Sequence, residues 1–380
     1  MRRLGRLAAV LAGIAVAAPA GADPVGRAAA GVARASAPAA TASSAYAQLT
    51  PAERVGQLFM AGVSSTSPSP TAISALRGHH VGNVILDGNS SAGVAGTAAV
   101  SGELASSLGV AGVRPFIATD QEGGEVQRLS GPGFSAMPTA LAQGKLMPAV
   151  LQRRAQKWGG QLAAAGVSLN LAPDADTVPA AHPHANPPIG RYDREFGYRP
   201  SAVAPHVAAV AAGEELGGVD VTIKHFPGLG RADGNTDLKR HVTDPTRRHS
   251  AYLAPFQAGI TAGARFVMVS LATYPNIDPA HPACFSKTVI AGMLRGDLGF
   301  TGVVISDSFH AKAVRSVPPA KAALEFFRAG GTMLLDTQRP PIYAMERAVL
   351  AEQRSDPRFA STVKADVLKV LTAKAAAGLL

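Results

Sequence analysis

From about residue 50 onward, short apolar runs alternate with longer amphipathic segments. Several of the short runs contain β-branched residues, and polar or Gly/Pro residues follow each of them. This is the pattern that buried parallel strands produce. The runs are QLFMAG (57–62), GNVILDG (82–88), PFIATD (115–120), SLNLAP (168–173), DVTIKHF (220–226), RFVMVSL (265–271), GVVISD (302–307) and TMLLD (332–336).

The intervals between these runs contain segments with helical periodicity. They cover 150–166, 201–217, 250–263, 287–298, 320–329 and 342–352. Strand–helix alternation repeated eight times predicts an α/β fold, a (β/α)8 or TIM barrel in a single domain. A doubly wound open sheet is the alternative, and the count of eight favours the barrel.

Polar residues fall at or just past the ends of the predicted strands. In a barrel these ends share one face, where the chemistry of such folds is located. Loops are polar in any protein, but this set is rich in carboxylates and cations, which favours one shared site. The residues are Asp120, Asp176, Lys224, His225, Ser270, Asp307 and Asp336.

The N-terminal residues have the pattern of an export signal. Three arginines precede the apolar run 7–18, and Ala20-Gly21-Ala22 offers a small-x-small cleavage site. The run is short for a membrane anchor, which needs about 20 residues. We therefore expect a signal peptide over 1–22, a flexible Ala/Ser/Pro-rich linker over 23–46 and the barrel over 47–380. The protein is expected to be secreted, without stable membrane insertion.

Composition excludes several kinds of site and partner. The 380 residues include 47% hydrophobic positions, enough for one large core, and a single cysteine, Cys284. A disulfide within the chain and a cysteine-based zinc site are thus excluded. The net charge of +10 comes from scattered residues without a basic patch, which argues against nucleic acid as a partner. Weak attraction to anionic cell-wall polymers fits an exported basic protein better.

Two loops carry candidate sugar-binding residues. In D120-Q-E-G-G-E-V-Q-R128, the paired glycines allow a sharp turn that could bring Arg128 beside Asp120. An Asp and an Arg together can grip the hydroxyls of a polyol, although a structural ion pair is an equal alternative. Of Arg191 and Arg194, in the loop after the fourth strand, one could turn inward.

Lys224, His225 and Asp307 end two further strands. Lys224 and His225 would normally point to opposite faces unless the strand kinks at its end. A metal site is disfavoured, because the one H-x-H pair, His182 and His184, lies in a Pro/Ala loop with no evident third ligand. Asp307 is well placed to attack an anomeric carbon, or alternatively to orient a cation.

Together these motifs resemble glycoside hydrolase family 3, and within it the bacterial single-domain β-N-acetylglucosaminidases. The resemblance covers roughly residues 50–375, without the second domain that other members carry. The motifs are D120-Q-E-G-G-E-V-Q-R-L, L171-A-P-D-A-D176, N186-P-P-I-G with R194-E-F-G, K224-H-F-P-G, and F285-S followed by L294-R-G-D-L-G-F-T-G-V-V-I-S-D307.

The resemblance implies a role for each matching residue. Asp307 corresponds to the catalytic nucleophile of a retaining mechanism, which forms a glycosyl-enzyme that water then hydrolyses. The residues that would bind the sugar next to the cleaved bond are Asp120, Arg128, Arg194, Lys224 and His225. No cofactor and no metal are implied.

The loop after K224-H-F-P-G departs from the family pattern. This branch has Asp-Ser-His there, and that His is the acid/base. Here Asn235-Thr236-Asp237 occupies those positions, while Leu229 and Arg231 stand where a His and an Asp are usual. Asp237 is the predicted replacement, if burial raises its pKa. Asp233 and His241 are alternatives, as is loss of the proton donor.

We therefore expect a glycosidase that cleaves β-linked N-acetylglucosamine in peptidoglycan-derived or chitin-type glycans, acting as a monomer. Two rivals stay open. One is a wall-glycan binding protein without turnover, which the altered loop would suit. The other is a β-glucosidase, although two-domain members that cleave glucosides usually draw the acid/base from the domain that this chain lacks.

Overall fold

A computed structural model of the chain describes residues 38–380, and within them eight parallel strands form one sheet. Neighbouring strands follow chain order, the last strand pairs with the first, and a bridge between Ile305 and Met333 joins the remaining two edges. The predicted barrel is therefore confirmed, and the sheet is not an open one. The barrel strands are β1 (Phe59–Ser64), β2 (Asn83–Asp87), β3 (Phe116–Thr119), β6 (Leu169–Asn170), β7 (Asp220–Phe226), β8 (Phe266–Val269), β11 (Val303–Ser306) and β12 (Leu334–Asp336).

Helices surround the sheet, as expected when both faces of parallel strands are buried. Each predicted helical segment is helical, although 250–263 begins with a 3₁₀ turn and 287–298 is largely a π-helix, Thr288–Asp297. The α-helices are α1 (38–48), α2 (Pro51–Gly56), α3 (Pro70–Gly78), α4 (Gly93–Leu108), α5 (Ala140–Gln143), α6 (Pro148–Ala164), α7 (Pro200–Leu216), α8 (Ala254–Thr261), α9 (Pro319–Ala329), α10 (Arg339–Ser355) and α11 (Pro357–Ala376).

The first helix corrects the predicted linker. Residues 38–48 form α1, which buries Ala42 and Ala45 in the main hydrophobic core, and Leu49 follows them. The linker prediction is therefore wrong over 38–46, because small alanines at helical spacing pack closely against the barrel. The rest of the predicted linker and the predicted signal peptide lie outside the described residues. No helix within 38–380 has the length and hydrophobicity of a membrane span.

The last helix lies at the amino-terminal end of the barrel. From α11, the buried Lys374 donates to the Gln57 side chain at 2.6 Å and to the Gly82 carbonyl at 2.9 Å, just before β1 and β2. Burial holds the pKa of Lys374 well below its usual range. With this end occupied by a packed helix, the carboxyl ends of the strands are left to form a site.

Two small antiparallel hairpins stand on the carboxyl-terminal face. One pairs β4 (Gln121–Gly123) with β5 (Val126–Gln127), and the other pairs β9 (Thr273–Tyr274) with β10 (Asp278–Pro282). The first contains the predicted Gly-Gly turn: φ is +105° at Gly123 and +56° at Gly124. A Cβ on Gly123 would lie 2.2 Å from the Pro138 carbonyl oxygen, so the turn requires glycine there.

Candidate active site

A cavity of about 370 Å³ opens at the carboxyl ends of the barrel strands. Its size is within the range of small-molecule sites, about 300–1,000 Å³. The structure brings together in it every side chain to which the sequence assigned a catalytic or sugar-binding role. They are Asp120, Arg128, Arg194, Lys224, His225, Asp237 and Asp307.

Glu122 holds the two cations of the cavity floor together. Its carboxylate accepts two hydrogen bonds from Arg194, both 2.8 Å long, and its Oε1 lies 2.6 Å from the Lys224 ammonium nitrogen. Lys224 also donates to Asp120 Oδ1 at 2.6 Å. Four charged groups thus form one network, in which each charge is paired at hydrogen-bonding distance.

The network keeps its members ionised despite burial. Burial would raise the pKa of Glu122, but Arg194 and Lys224 outweigh it and hold that pKa far below its usual range. Burial likewise opposes the charge on Lys224, yet Asp120 and Glu122 raise its pKa. Fixed donors and acceptors of this kind are suited to binding the hydroxyls of a sugar.

Neighbouring loops position Arg194. Its Nη1 donates to the Pro188 carbonyl at 2.8 Å. Asn186 accepts from the Ile189 and Gly190 amides and donates to the Leu229 carbonyl, linking this loop to the one after β7. Of the two candidate arginines, Arg194 is therefore the one that turns inward, while Arg191 is exposed.

Arg128 differs from its predicted pairing. Its backbone N–H donates to the Asp120 carbonyl at 3.3 Å, so the chain does fold back there. The guanidinium, however, donates to Asn89 Oδ1 at 3.2 Å, while the Asp120 carboxylate pairs with Lys224. Both side chains line the cavity without forming the predicted ion pair with each other.

His225 is held by a buried carboxylate. The Lys224–His225 peptide is cis, and both side chains line the cavity. His225 Nδ1 lies 2.9 Å from Asp176 Oδ2, and the Leu229 amide donates to Asp176 Oδ1 at 2.7 Å. Burial lowers the pKa of His225 to about 4 and raises that of Asp176 to about 7. The imidazole is therefore neutral at pH 7.

One group of side chains within residues 38–380 has the geometry to hold a metal ion. Donor atoms of Asp174, Asp176 and His225 lie within 4.8 Å of one another. Hydrogen bonds to one another and to backbone amides already engage most of these atoms, although Asp174 Oδ2 has none. The chemistry proposed below does not require an ion at this position.

Asp307 follows the last residue of β11. Its amide donates to the Val269 carbonyl of β8 at 3.2 Å, and its Oδ1 accepts from the Ser308 amide at 2.7 Å. The backbone is thus fixed on both sides of the carboxylate. Burial raises the pKa of Asp307, and the negative charge of Asp237 adds to the effect.

Asp237 reaches the same cavity from the loop after β7. Asn235 Oδ1 accepts from the Asp237 amide at 2.8 Å, which closes a tight turn. The Lys312 amide donates to the Asp237 carbonyl at 3.3 Å, and the Ala313 amide to the Thr236 carbonyl at 3.0 Å. Asp237 is exposed as a whole residue, but its carboxyl group lines the cavity, and burial raises its pKa.

The alternatives to Asp237 lie elsewhere. Asp233 accepts from the Thr243 amide at 2.9 Å and pairs with Lys239 at 3.1 Å, so it stabilises the loop. His241 is exposed and is not among the residues that line the cavity. Ser270 caps the Ala272 amide, and Asp336 faces a smaller adjoining cavity. Only some of the polar residues at the strand ends therefore line the main cavity.

Sequence reasoning missed several residues of the site. Glu122 and Asp174 lie inside the quoted motifs, but nothing in the motifs shows that Glu122 pairs with residues 72 and 102 positions later. His310 and Arg315 also line the cavity. They follow Asp307 so closely that their proximity to it was a usable signal.

Comparison with known proteins agrees with this geometry. The family model described as "Glycosyl hydrolase family 3 N terminal domain" matches residues 50–371. A beta-hexosaminidase of Xylella fastidiosa (strain 9a5c) is 33% identical over 314 residues, which cover 79% of this chain and 88% of the relative. The corresponding protein of strain M23 is 37% identical over 270 residues, covering 68% and 77%.

Solved structures are similar as well. The beta-N-acetylhexosaminidase from Beutenbergia cavernae DSM 12333 superposes with a TM-score of 0.83 at 47% identity, covering 86% of this chain and 98% of that one. A family 3 beta-N-acetylglucosaminidase from Paenibacillus sp. str. FPU-7 has a TM-score of 0.77 at 29% identity, covering 87% and 63%. With the barrel, the charged cavity and a match over most of the chain, this protein belongs to glycosyl hydrolase family 3.

Proposed function

We propose that this protein is a retaining glycosidase that releases β-linked N-acetylglucosamine. The observation that carries the proposal is that two carboxylates, Asp307 and Asp237, line one cavity, where burial raises the pKa of both and the charge of Asp237 further raises that of Asp307. The names of the relatives, beta-hexosaminidase and beta-N-acetylhexosaminidase, favour this sugar. Glycans with this linkage include peptidoglycan fragments and chitin oligomers.

The surroundings of the two carboxylates suit them to different roles, nucleophile and proton donor. Asp307 stands near Lys224, whose positive charge favours its ionised, nucleophilic form. For Asp237, burial and repulsion from Asp120 favour the protonated form. In the first step Asp307 bonds to the anomeric carbon, while Asp237 gives its proton to the departing oxygen.

The second step reverses the proton transfer. Asp237, now ionised, takes a proton from water as that water attacks the anomeric carbon. The bond to Asp307 breaks, and the sugar leaves with its original configuration. Throughout, Asp120, Lys224 and Arg194 offer ionic donors and acceptors for the hydroxyls of the bound sugar, and Glu122 holds the two cations in place.

The test compares kcat/KM for two substrates. The 2,4-dinitrophenyl β-glycoside of N-acetylglucosamine has a leaving group that needs no proton, whereas the β-linked disaccharide of N-acetylglucosamine needs one. Asp307→Asn should abolish both reactions. Asp237→Asn should lower kcat/KM for the disaccharide by about 10²–10⁴-fold and leave that for the dinitrophenyl glycoside nearly unchanged.

Other outcomes decide between the rivals. Sugar binding without turnover that depends on Asp307 would make the protein a glycan-binding module. A higher kcat/KM for the matching β-glucoside than for the N-acetylglucosaminide would make it a β-glucosidase. Equal losses on both substrates in Asp237→Asn would remove Asp237 as the proton donor.

We also propose that the protein is exported. The support is the order of charges, apolar run and small residues over positions 1–22. Mass spectrometry of the protein from the culture medium should give a mature chain that begins at Asp23. Recovery of the intact chain from the cells alone would contradict export.

A further inference from the structure

His310 lies at the mouth of the cavity, and the steps proposed above do not use it. It follows the nucleophile Asp307 by three positions, is exposed, and lines the same cavity as Asp307 and Asp237. An exposed imidazole that faces a reaction cavity can orient a charged group or exchange a proton with it. Its position therefore calls for a functional explanation.

Two backbone hydrogen bonds fix His310 relative to Asp237. The Lys312 and Ala313 amides, just after His310, donate to the carbonyls of Asp237 and Thr236 at 3.3 and 3.0 Å. The loop that carries Asp237 and the loop that carries His310 are thus joined where they meet the cavity. His310 and Asp237 therefore line the cavity from segments that are hydrogen-bonded to each other.

The charges around Asp237 define what His310 can add. Burial and Asp120 oppose ionisation of Asp237, whereas Arg194, His310 and Lys224 favour it. Arg194 and Lys224 are already engaged by Glu122 and Asp120. Of these three side chains, His310 is the one without a carboxylate partner within ion-pair distance among the described residues.

His310 also faces a second carboxylate. It lines an adjoining cavity of about 60 Å³ together with Asp336 and Arg315. Burial raises the pKa of Asp336 to about 6, and His310 acts to lower it. His310 thus lines one cavity with Asp237 and another with Asp336, and Arg315 lines both of the same cavities.

We propose that His310 is a positioning residue for Asp237: from the neighbouring loop, it orients the proton-donating carboxyl group and balances its charge across the two steps. The inference rests on the proposed function. Asp237 must hold a proton in the first step and lose it in the second, so neither full neutralisation nor full ionisation would serve both. A nearby positive charge that opposes the effect of burial on the pKa of Asp237 would therefore suit both steps.

The experiment measures kcat/KM against pH for wild type, His310→Gln and His310→Lys, with the dinitrophenyl glycoside and the disaccharide. His310→Gln should lower kcat/KM for the disaccharide about tenfold, less than the 10²–10⁴-fold expected for loss of the donor itself. Loss of the imidazole removes a group that favours ionisation of Asp237, so the alkaline limb should move up by about one pH unit. Both effects should be absent with the dinitrophenyl glycoside.

His310→Lys restores a positive charge and should bring the alkaline limb back toward that of wild type. The matched control is His281→Gln, because His281 is an exposed imidazole beside a carboxylate, Asp278, at 3.1 Å, and does not line the cavity. It should leave both reactions and the pH profile unchanged.

Each contrary result has its own meaning. If wild type turns over neither substrate, the proposed function fails. If wild type is active and His310→Gln matches it in rate and pH profile, the inference on His310 is overturned while the function stands. Complete loss of the alkaline limb in His310→Gln would make His310 the donor itself, and would also overturn the positioning role.

Discussion

At the residue scale, Glu122 determines whether the cavity floor holds together. Its carboxylate bridges Lys224 and Arg194, and all three side chains are largely removed from water. Charges buried in this way are tolerated only when they are paired with good geometry. The sugar-binding wall therefore depends on a residue that does not itself need to contact the sugar.

Glu122→Gln should lower the free energy of unfolding by about 3 kcal/mol, because it leaves two buried cations short of one negative charge. Urea unfolding of the variant measures the change. Glu352→Gln is the matched control, since it removes an exposed Glu–Arg pair with Arg328 and should cost less than about 1 kcal/mol. Similar losses in the two variants would contradict the importance assigned to the floor.

The pH profile separates the two carboxylates. For kcat/KM of the disaccharide, Asp307 must be ionised and Asp237 protonated, so the rate falls below the pKa of the first and above the pKa of the second. Both pKa values are raised, which displaces both limbs to higher pH than ordinary carboxyl groups would give. The dinitrophenyl glycoside should lose only the alkaline limb; an identical limb for both substrates would argue against a proton donor.

At the element scale, the loop after β7 places Asp237 through a turn that one side chain closes. In the sequence, Asn235 was identified only as the residue at the position of the Asp in the family's Asp-Ser-His. In the structure its Oδ1 accepts the Asp237 amide at 2.8 Å, so it acts on the backbone of the donor. That role depends on an acceptor oxygen at position 235.

Asn235→Ala should therefore lower kcat/KM for the disaccharide about tenfold by loosening the donor, with a loss of stability of about 1 kcal/mol. Asn235→Asp keeps the acceptor and should retain most of the activity. Steady-state kinetics on the two substrates are the measurement. An alanine variant as active as the aspartate variant would show that the turn does not matter.

Helix α1 contributes to the stability of the barrel. Leu49, immediately after it, is 2% exposed, and Arg54 donates to the Tyr46 carbonyl at 2.9 Å, fastening α1 to α2. Leu49→Ala should cost about 3 kcal/mol of unfolding free energy. Leu216→Ala, at a leucine that is 62% exposed, should change it by less than about 0.5 kcal/mol. Equal midpoints in urea would place Leu49 outside the core.

At the scale of the whole molecule, the sequence predicts the barrel well and its interior pairings poorly. Short apolar strands ending in charged residues are visible in the order of residues, and Asp307 and Lys224 stand where expected. Helix α1 was missed because its Ala- and Ser-rich segment resembles a linker in composition. The partners of Glu122 were missed because they depend on how the segments after β3 and β6 fold over the end of β7, which the spacing of residues does not show.

The net charge of +10, of which the three arginines of the proposed signal peptide supply three, also belongs to this scale. We expect weak retention on anionic cell-wall polymers that weakens as salt shortens the Debye length, from about 10 Å at 0.1 M to about 3 Å at 1 M. Co-sedimentation with purified walls across that range measures it, with walls stripped of their anionic polymers as control. Retention that persists at 1 M salt would contradict an electrostatic origin.

The hydrogen bonds that join the Asp237 loop to the segment after His310 have a consequence for the timing of the reaction. Two such bonds are worth only about 0.5–1.5 kcal/mol each, so the joint can open thermally to let the first product escape. While it is open, the covalent intermediate would be separated from its base, so no water would be activated to attack it. Hydrolysis would then wait until the loop recloses over an emptied outer site, which would order product departure before water attack.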